Sequence, residues 1–321
     1  MSRPIRIGVQ LWPGGTPGYA SWRDAVLRAE DLGADIVFGY DHFHKPFVQR
    51  TSEGPRLLPE QADVNNFEAW TALASWAEVT SSAEIGTLVT GMGYRNPDLL
   101  ADMARTVDHI SGGRLILGVG AGWYEKDYTV YGYDYGTVKS RMDLFAEGLE
   151  RISNRLKLLK PQPVRDIPIL VGGAGEKKTL PLVGRYASIW HSSLDLETFR
   201  RKNDLVRKYA TEAGRDETLI ERAITWPGDG ASADSYAGEG VTLFTTEIHP
   251  TDQGYDLSRL QGLLAWRGQG VLSNQSVNES RTCPSGDALA TGAQTNSPSE
   301  PSSPNRQRMT GHDLHRSARP R

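Results

Sequence analysis

Eight short apolar runs alternate with segments of helical periodicity, one of them only a short turn at Ser232–Ala237, and that alternation limits the folds open to the chain. The runs are Ile5–Leu11, Ala34–Tyr40, Ile85–Thr90, Leu115–Val119, Ile167–Val171, Ala187–Trp190, Leu219–Trp226 and Val241–Thr246. Between them apolar residues recur every three or four positions. The pattern is clearest at Met142, Phe145, Leu149, Ile152, Leu156 and Leu159, the spacing of one helix face. Asn96-Pro97 reads as a helix cap with proline at the first helical position. A strand–helix unit repeated eight times predicts an α/β chain closed into a (β/α)8 TIM barrel. A doubly wound sheet is the alternative, and it seldom supplies eight such units.

In a barrel of this kind the carboxyl ends of the strands carry the active site. One of them is unusual. Ser111 to Trp123 reads SGGRLILGVGAGW, a strand that dissolves into alternating glycines at Gly118, Gly120 and Gly122. Two readings stay open: a face cleared for a large flat ligand, or glycines that admit close packing of a helix.

Composition narrows the class. No apolar run approaches the ~20 residues of a membrane span, and the first residues lack a signal peptide's apolar core. The expected compartment is the cytoplasm. The net charge of −3 gives no reason to expect nucleic acid. A single cysteine, Cys283, excludes an intrachain disulfide and a multi-cysteine metal site. From Gly268 the chain has no aromatic residue and no lysine, and it is rich in Ser, Pro, Asn, Gln and Gly. Such a segment cannot bury enough apolar surface to offset ordering. The expected organisation is therefore a catalytic barrel over residues 1–267 and a disordered tail over 268–321.

The predicted strand ends bring together Trp12, Asp41, His42, Thr90, Met92, Trp123, the Gly172–Gly175 turn, His191, Trp226, Glu247 and His249. A rim this aromatic suits a planar ring system with an anionic tail. Gly172-Gly173-Ala174-Gly175 precedes a helix expected to start near Glu176, and free N–H groups at a helix start favour phosphate. Lys177 and Lys178 add positive charge. His42 is the candidate general acid–base, with Asp41 beside it. Neighbours on a strand point opposite ways, so direct orientation of His42 by Asp41 is not expected. Glu125 is a candidate proton donor above the glycine strand. The long excursion from Lys45 to about Asn65 reads as a lid or binding loop. His42 and His44 lie two apart without a further cluster at ligand spacing, so no metal is expected.

Several motifs, in order, resemble the luciferase-like oxidoreductase superfamily. They are Asp41-His42-Phe43, Tyr94-Arg95-Asn96-Pro97, Gly113 to Gly122, Ile167 to Gly173 and Gly240 to Phe244. Within it the chain is most similar to the branch dependent on coenzyme F420, a deazaflavin. The resemblance implies hydride transfer between the deazaflavin and a small organic substrate, with His42 near the ring. It places Ala121, Gly122, Gly172, Gly173, Ala174 and Gly175 along the ribityl-phosphate part, with Thr90 and Trp123 at the same mouth. A cis non-proline bond against the ring's back face would fall at Leu88-Val89. It also implies a homodimer. Two departures stand out. Trp123 occupies the position of the proton-donating glutamate of the family's sugar-phosphate dehydrogenases, which argues against that activity, and the segment Lys160 to Asp166 is short. The alternatives are an FMN-dependent monooxygenase on the same fold and a protein that binds the deazaflavin without turnover.

Overall fold

A computed structural model of the chain describes residues 3–51, 54–59 and 61–279. In chain order the elements are β1 (Arg6–Leu11), α1 (Tyr19–Asp31), β2 (Ile36–Asp41), β3 (Val48–Thr51), β4 (Gly54–Leu57), α2 (Ala69–Val79), β5 (Glu84–Gly91) and α3 (Pro97–Ile110). There follow β6 (Leu115–Gly120), α4 (Glu125–Val130), α5 (Val138–Leu158), β7 (Ile169–Gly172), α6 (Thr179–Tyr186), β8 (Ile189–Ser192) and α7 (Leu196–Glu212). The last are β9 (Glu221–Thr225), α8 (Gly230–Gly238), β10 (Val241–Ile248) and α9 (Ser258–Glu279). The strands β1-β10-β9-β8-β7-β6-β5-β2 close into a barrel, and β1 pairs with β2 in parallel to complete it. The expected (β/α)8 barrel is the observed one. The β3–β4 pair is an antiparallel hairpin outside it, within the excursion after β2.

Alternation along the strands separates two apolar layers. Ile7, Val9, Leu11 and Val37 face the helices, where they join Trp22, Trp76, Phe145 and Phe199. Ile36, Phe38, Ile116, Leu170, Ile189, Ala223 and Leu243 fill the barrel interior. At the amino-terminal end of the barrel Arg6 binds Glu84 and Glu221, and Arg165 binds Glu84. That end thus carries a cluster of paired ions in which Glu221 is buried and its partners are half-buried.

Local signals account for the element ends. Asn96 Oδ1 accepts from the Asp98 and Leu99 amides, at 2.9 and 3.4 Å, ahead of Pro97. The helix expected near Glu176 starts instead at Thr179, because Thr179 N and Leu180 N both donate to the Gly175 carbonyl. The closing helix runs past the expected barrel boundary at residue 267 to Glu279, through Gly268 and Gly270, residues whose low helix propensity masked it. The chain divides into a compact unit ending at Gln275 and a second unit, 276–321. Most of the predicted tail, including Cys283, lies outside the described residues. No helix among the described residues is long and apolar enough to cross a membrane.

Candidate functional site

The mouth of the barrel is shaped by an irregularity in β5. Its pairing with β6 jumps between Gly86 and Thr90, its pairing with β2 shifts between Gly39 and Asp41, and the Leu88-Val89 bond is cis. Leu88 and Val89 consequently lean on the top of the interior core, half-buried. Trp70 Nε1 donates to Thr90 Oγ1 at 3.0 Å, Thr90 Oγ1 to Thr87 Oγ1 at 3.1 Å, and Thr87 Oγ1 to the Gly118 carbonyl at 2.7 Å. This relay fastens β5 to α2 on one side and β6 on the other. From inside the barrel, Gln10 Nε2 donates to the Leu88 carbonyl, and Trp12 Nε1 holds Gln10 Oε1 at 3.0 Å.

The glycines now find their reason. A Cβ on Gly118 would lie 1.8 Å from the Thr87 oxygen, and one on Gly120 would lie 2.9 Å from Val89 Cγ2. A Cβ on Gly172 would lie 3.2 Å from Val89 Cγ1. At Gly118 and Gly120 the packing partner is a strand and not the helix expected: the cleared face receives the bulge of β5. Gly122, with φ +80°, faces the Tyr128 hydroxyl, and its carbonyl accepts from Arg141 Nε at 3.2 Å.

His42 follows β2 on the inward side, by the same parity as Phe38 and Tyr40. Its ring is bordered by Tyr40, Trp123 and Tyr124, with centroids 5.4, 5.4 and 5.6 Å away and edge-on. Its Nδ1 lies 2.7 Å from Asp127 Oδ2, which also accepts from the Tyr94 hydroxyl at 2.9 Å. Asp127 Oδ1 accepts from the Phe43 and His44 amides at 3.1 and 3.0 Å and from His44 Nδ1 at 2.9 Å. Five donors therefore converge on one fully buried carboxylate. Burial alone would raise its pKa, yet the hydrogen bonds from His42, His44 and Tyr94 outweigh burial and hold it below the ordinary value. Burial, reinforced by Asp127, pushes the Tyr94 phenol far up, so it remains a donor. Asn66 completes the frame, donating to the His42 carbonyl at 2.8 Å and accepting from Tyr40 at 2.8 Å.

Other predicted residues fall elsewhere. Asp41 has the parity of Val37 and turns outward, where Arg95 Nη2 meets Oδ1 at 3.0 Å and also reaches Glu68. It anchors α3 through Arg95 and does not touch His42. Glu125 is exposed at the start of α4, two residues from Asp127. Two positions on a helix lie about 200° apart, so only one of these acids can face the histidine. The exposed Trp123 sits at the mouth beside His42, with Ala121 half-buried before it. In the turn after β7, Gly173 has φ +123° and its N–H is taken by the His191 carbonyl at 3.0 Å, while Lys202 Nζ reaches the Ala174 carbonyl at 2.9 Å. Gly175 is exposed, and Lys178 turns to Asp143 on α5 at 3.2 Å. His191 is buried against Thr245 Oγ1 at 2.8 Å, and His249 packs on Trp12 at 4.1 Å. Asp127, Tyr94, Gln10 and Asn66 escaped sequence reasoning. Only Asp127 left a signal, as the second acid in a polar, aromatic segment after the glycine strand.

A closed eight-stranded barrel with a bulged strand beside a histidine at the second barrel strand's end defines a luciferase-like (β/α)8 barrel. The family model for the luciferase-like monooxygenase matches residues 4–227, and the chain belongs to that family. The phthiodiolone/phenolphthiodiolone dimycocerosates ketoreductase of Mycobacterium bovis is 30% identical over 227 residues, 63% of this chain and 58% of the relative. Among solved structures, an F420-dependent secondary alcohol dehydrogenase carrying an F420-acetone adduct has a TM-score of 0.65 at 18% identity, covering 78% of this chain and 95% of that one. The FMN-bound oxygenating constituent of 3,6-diketocamphane monooxygenase from Pseudomonas putida has a TM-score of 0.54 at 17% identity, covering 70% and 67%. These likenesses are likenesses of fold, and the family's members are oxidoreductases and monooxygenases.

Proposed function

We propose that the protein is a coenzyme F420-dependent oxidoreductase acting on a small organic substrate. The observation that carries this reading is the imidazole of His42, fixed through Nδ1 by a buried carboxylate at the edge of the barrel mouth. The residues present suit a planar ring: Leu88 and Val89 offer a half-buried apolar back wall, and Trp123 stands at the side. The exposed glycines 173 and 175 leave room for an anionic tail to approach the backbone. The deazaflavin, when bound, supplies two-electron hydride chemistry. The chain's own part is proton handling. Asp127 accepts from Nδ1–H, which assigns the basic lone pair to Nε2. Nε2 takes the substrate's hydroxyl proton in oxidation or returns it in reduction, and Asp127 stabilises the imidazolium meanwhile. We also take the protein to be a homodimer, as the family resemblance implies, which light scattering of the full chain would test.

Fluorescence titration of the purified chain with F420, beside FMN, tests the cofactor. Saturable binding of F420 alone supports the reading. Binding of FMN alone would move the protein to oxygen-dependent monooxygenase chemistry. Substitution His42→Ala should abolish turnover while F420 still binds; unchanged turnover would remove His42 from the mechanism.

A further inference from the structure

Arg6, Glu84 and Glu221 are the first residues of β1, β5 and β9, so the parallel strands gather them at the amino-terminal end of the barrel. With Arg3 and Arg165 they line a cavity of ≈ 290 Å³, and Ile116 and Ile189 of the interior apolar layer also line it. Every residue of the lining is among those described, and none belongs to the site at His42.

The acceptors of this ring are engaged. Glu84 Oε1 accepts from Arg165 and its Oε2 from Arg6. Glu221 Oε1 accepts from Arg6 Nε at 3.2 Å and from Thr242 Oγ1 at 3.0 Å, and its Oε2 from Arg6 Nη2 at 2.5 Å. Guanidinium groups offer donors only, and here donors are left over. Arg165 spends Nη2 on Glu84 and the Leu115 carbonyl, while its Nε is buried with no partner among the described residues. Arg3 spends Nη2 on the Thr218 and Leu219 carbonyls at 3.1 and 3.0 Å, and its Nη1 stands 3.9 Å from Glu221, beyond hydrogen-bond reach. Three guanidiniums face two carboxylates, which leaves one positive charge beside an apolar wall that screens it poorly.

We infer that this cavity binds a small oxyanion, phosphate or a phosphate monoester, through Arg165 and Arg3. The planar fork of a guanidinium matches two oxygens of such an anion at once. Glu84 and Glu221 hold Arg6 in place and, by their charge, limit the affinity. This second site lies at the far end of the barrel from the mouth and does not depend on which cofactor the mouth takes.

The test is calorimetric titration of the full chain with inorganic phosphate and with ethyl phosphate, in a buffer without other oxyanions. Saturable binding is expected. Tighter ethyl phosphate assigns the site to organic phosphates and tighter inorganic phosphate to the free ion, and either supports it. Arg165→Gln and Glu84→Gln break the same ion pair but should act oppositely on the anion. Arg165→Gln should weaken binding about tenfold or more, the worth of one charged hydrogen bond. Glu84→Gln removes a competing negative charge and should tighten binding severalfold. Phosphate held elsewhere, as at the Gly172–Gly175 turn, would respond to neither. No saturable binding, or an affinity that both variants leave unchanged or both weaken, would overturn the inference. Arg3→Gln, on a side chain 40% exposed, replaces Arg165→Gln if that variant does not fold, with the same weakening expected.

Discussion

At the scale of residues, the site turns on one carboxylate with five donors. Asp127→Asn keeps the shape but replaces one oxygen by a donor. One end of the group must then oppose N–H to N–H or O–H, either at His42 and Tyr94 or at His44 and Phe43. The expected result is a fall in kcat of about 10²–10⁴-fold with F420 binding retained, read by steady-state turnover. The same carboxylate links stability to pH. Its folded pKa is lowered, so its stabilisation is complete above the unfolded value of about 3.9 and is lost as pH falls below it. Thermal unfolding of wild type and Asp127→Asn should therefore differ at neutral pH and converge in acid. A constant difference down to acid pH would contradict this linkage. His42 was legible in the sequence because it ends a strand, and strand ends are the mouth of a barrel. Asp127 was not: 85 residues separate it from His42, and only the closed barrel brings the two loops together. Asp41, the neighbour in sequence, was the tempting partner, and strand parity turns it outward to Arg95.

At the scale of elements, β5 and β6 are one device. The bulge of β5 exists only because β6 lacks side chains where Thr87 and Val89 press against it. Gly118→Ala forces a Cβ against backbone oxygen, and overpacking of that kind costs about 1–3 kcal/mol or more. Urea unfolding should register the loss, and cofactor affinity should fall with it as the wall formed by Leu88 and Val89 shifts. Gly262→Ala is the counter-case. It lies exposed within α9 with nothing within 4 Å of the added carbon, so it should stabilise by about 0.5–1 kcal/mol. The strands and helices themselves were readable from periodicity. The glycine run was visible as an anomaly, but the sequence of β6 carries no record of what its neighbour pushes into it. Arg114, part of the motif that carried the family resemblance, does structural work: it donates to the Ala77, Thr80 and Ala83 carbonyls and ties α2 to β5. A motif can identify a family through its scaffold and say little about its chemistry.

At the scale of the whole molecule, the barrel is polar in the directional sense, with paired ions at one end and the His42–Asp127 cluster at the other. Glu84→Gln removes a shared partner of Arg6 and Arg165 and should lower stability by about 1–3 kcal/mol, a range reduced for partial exposure. F420 affinity should stay unchanged, because that end is remote from the mouth; a parallel loss of affinity would show the two ends to be coupled. Trp22, Trp76 and Trp190 are sealed in the core, whereas Trp123 is 37% exposed and leans edge-on toward His42. The protein thus carries its own optical indicator: the emission difference between wild type and Trp123→Phe, followed while F420 or FMN is added, would report whatever comes to lie at the mouth with no added probe.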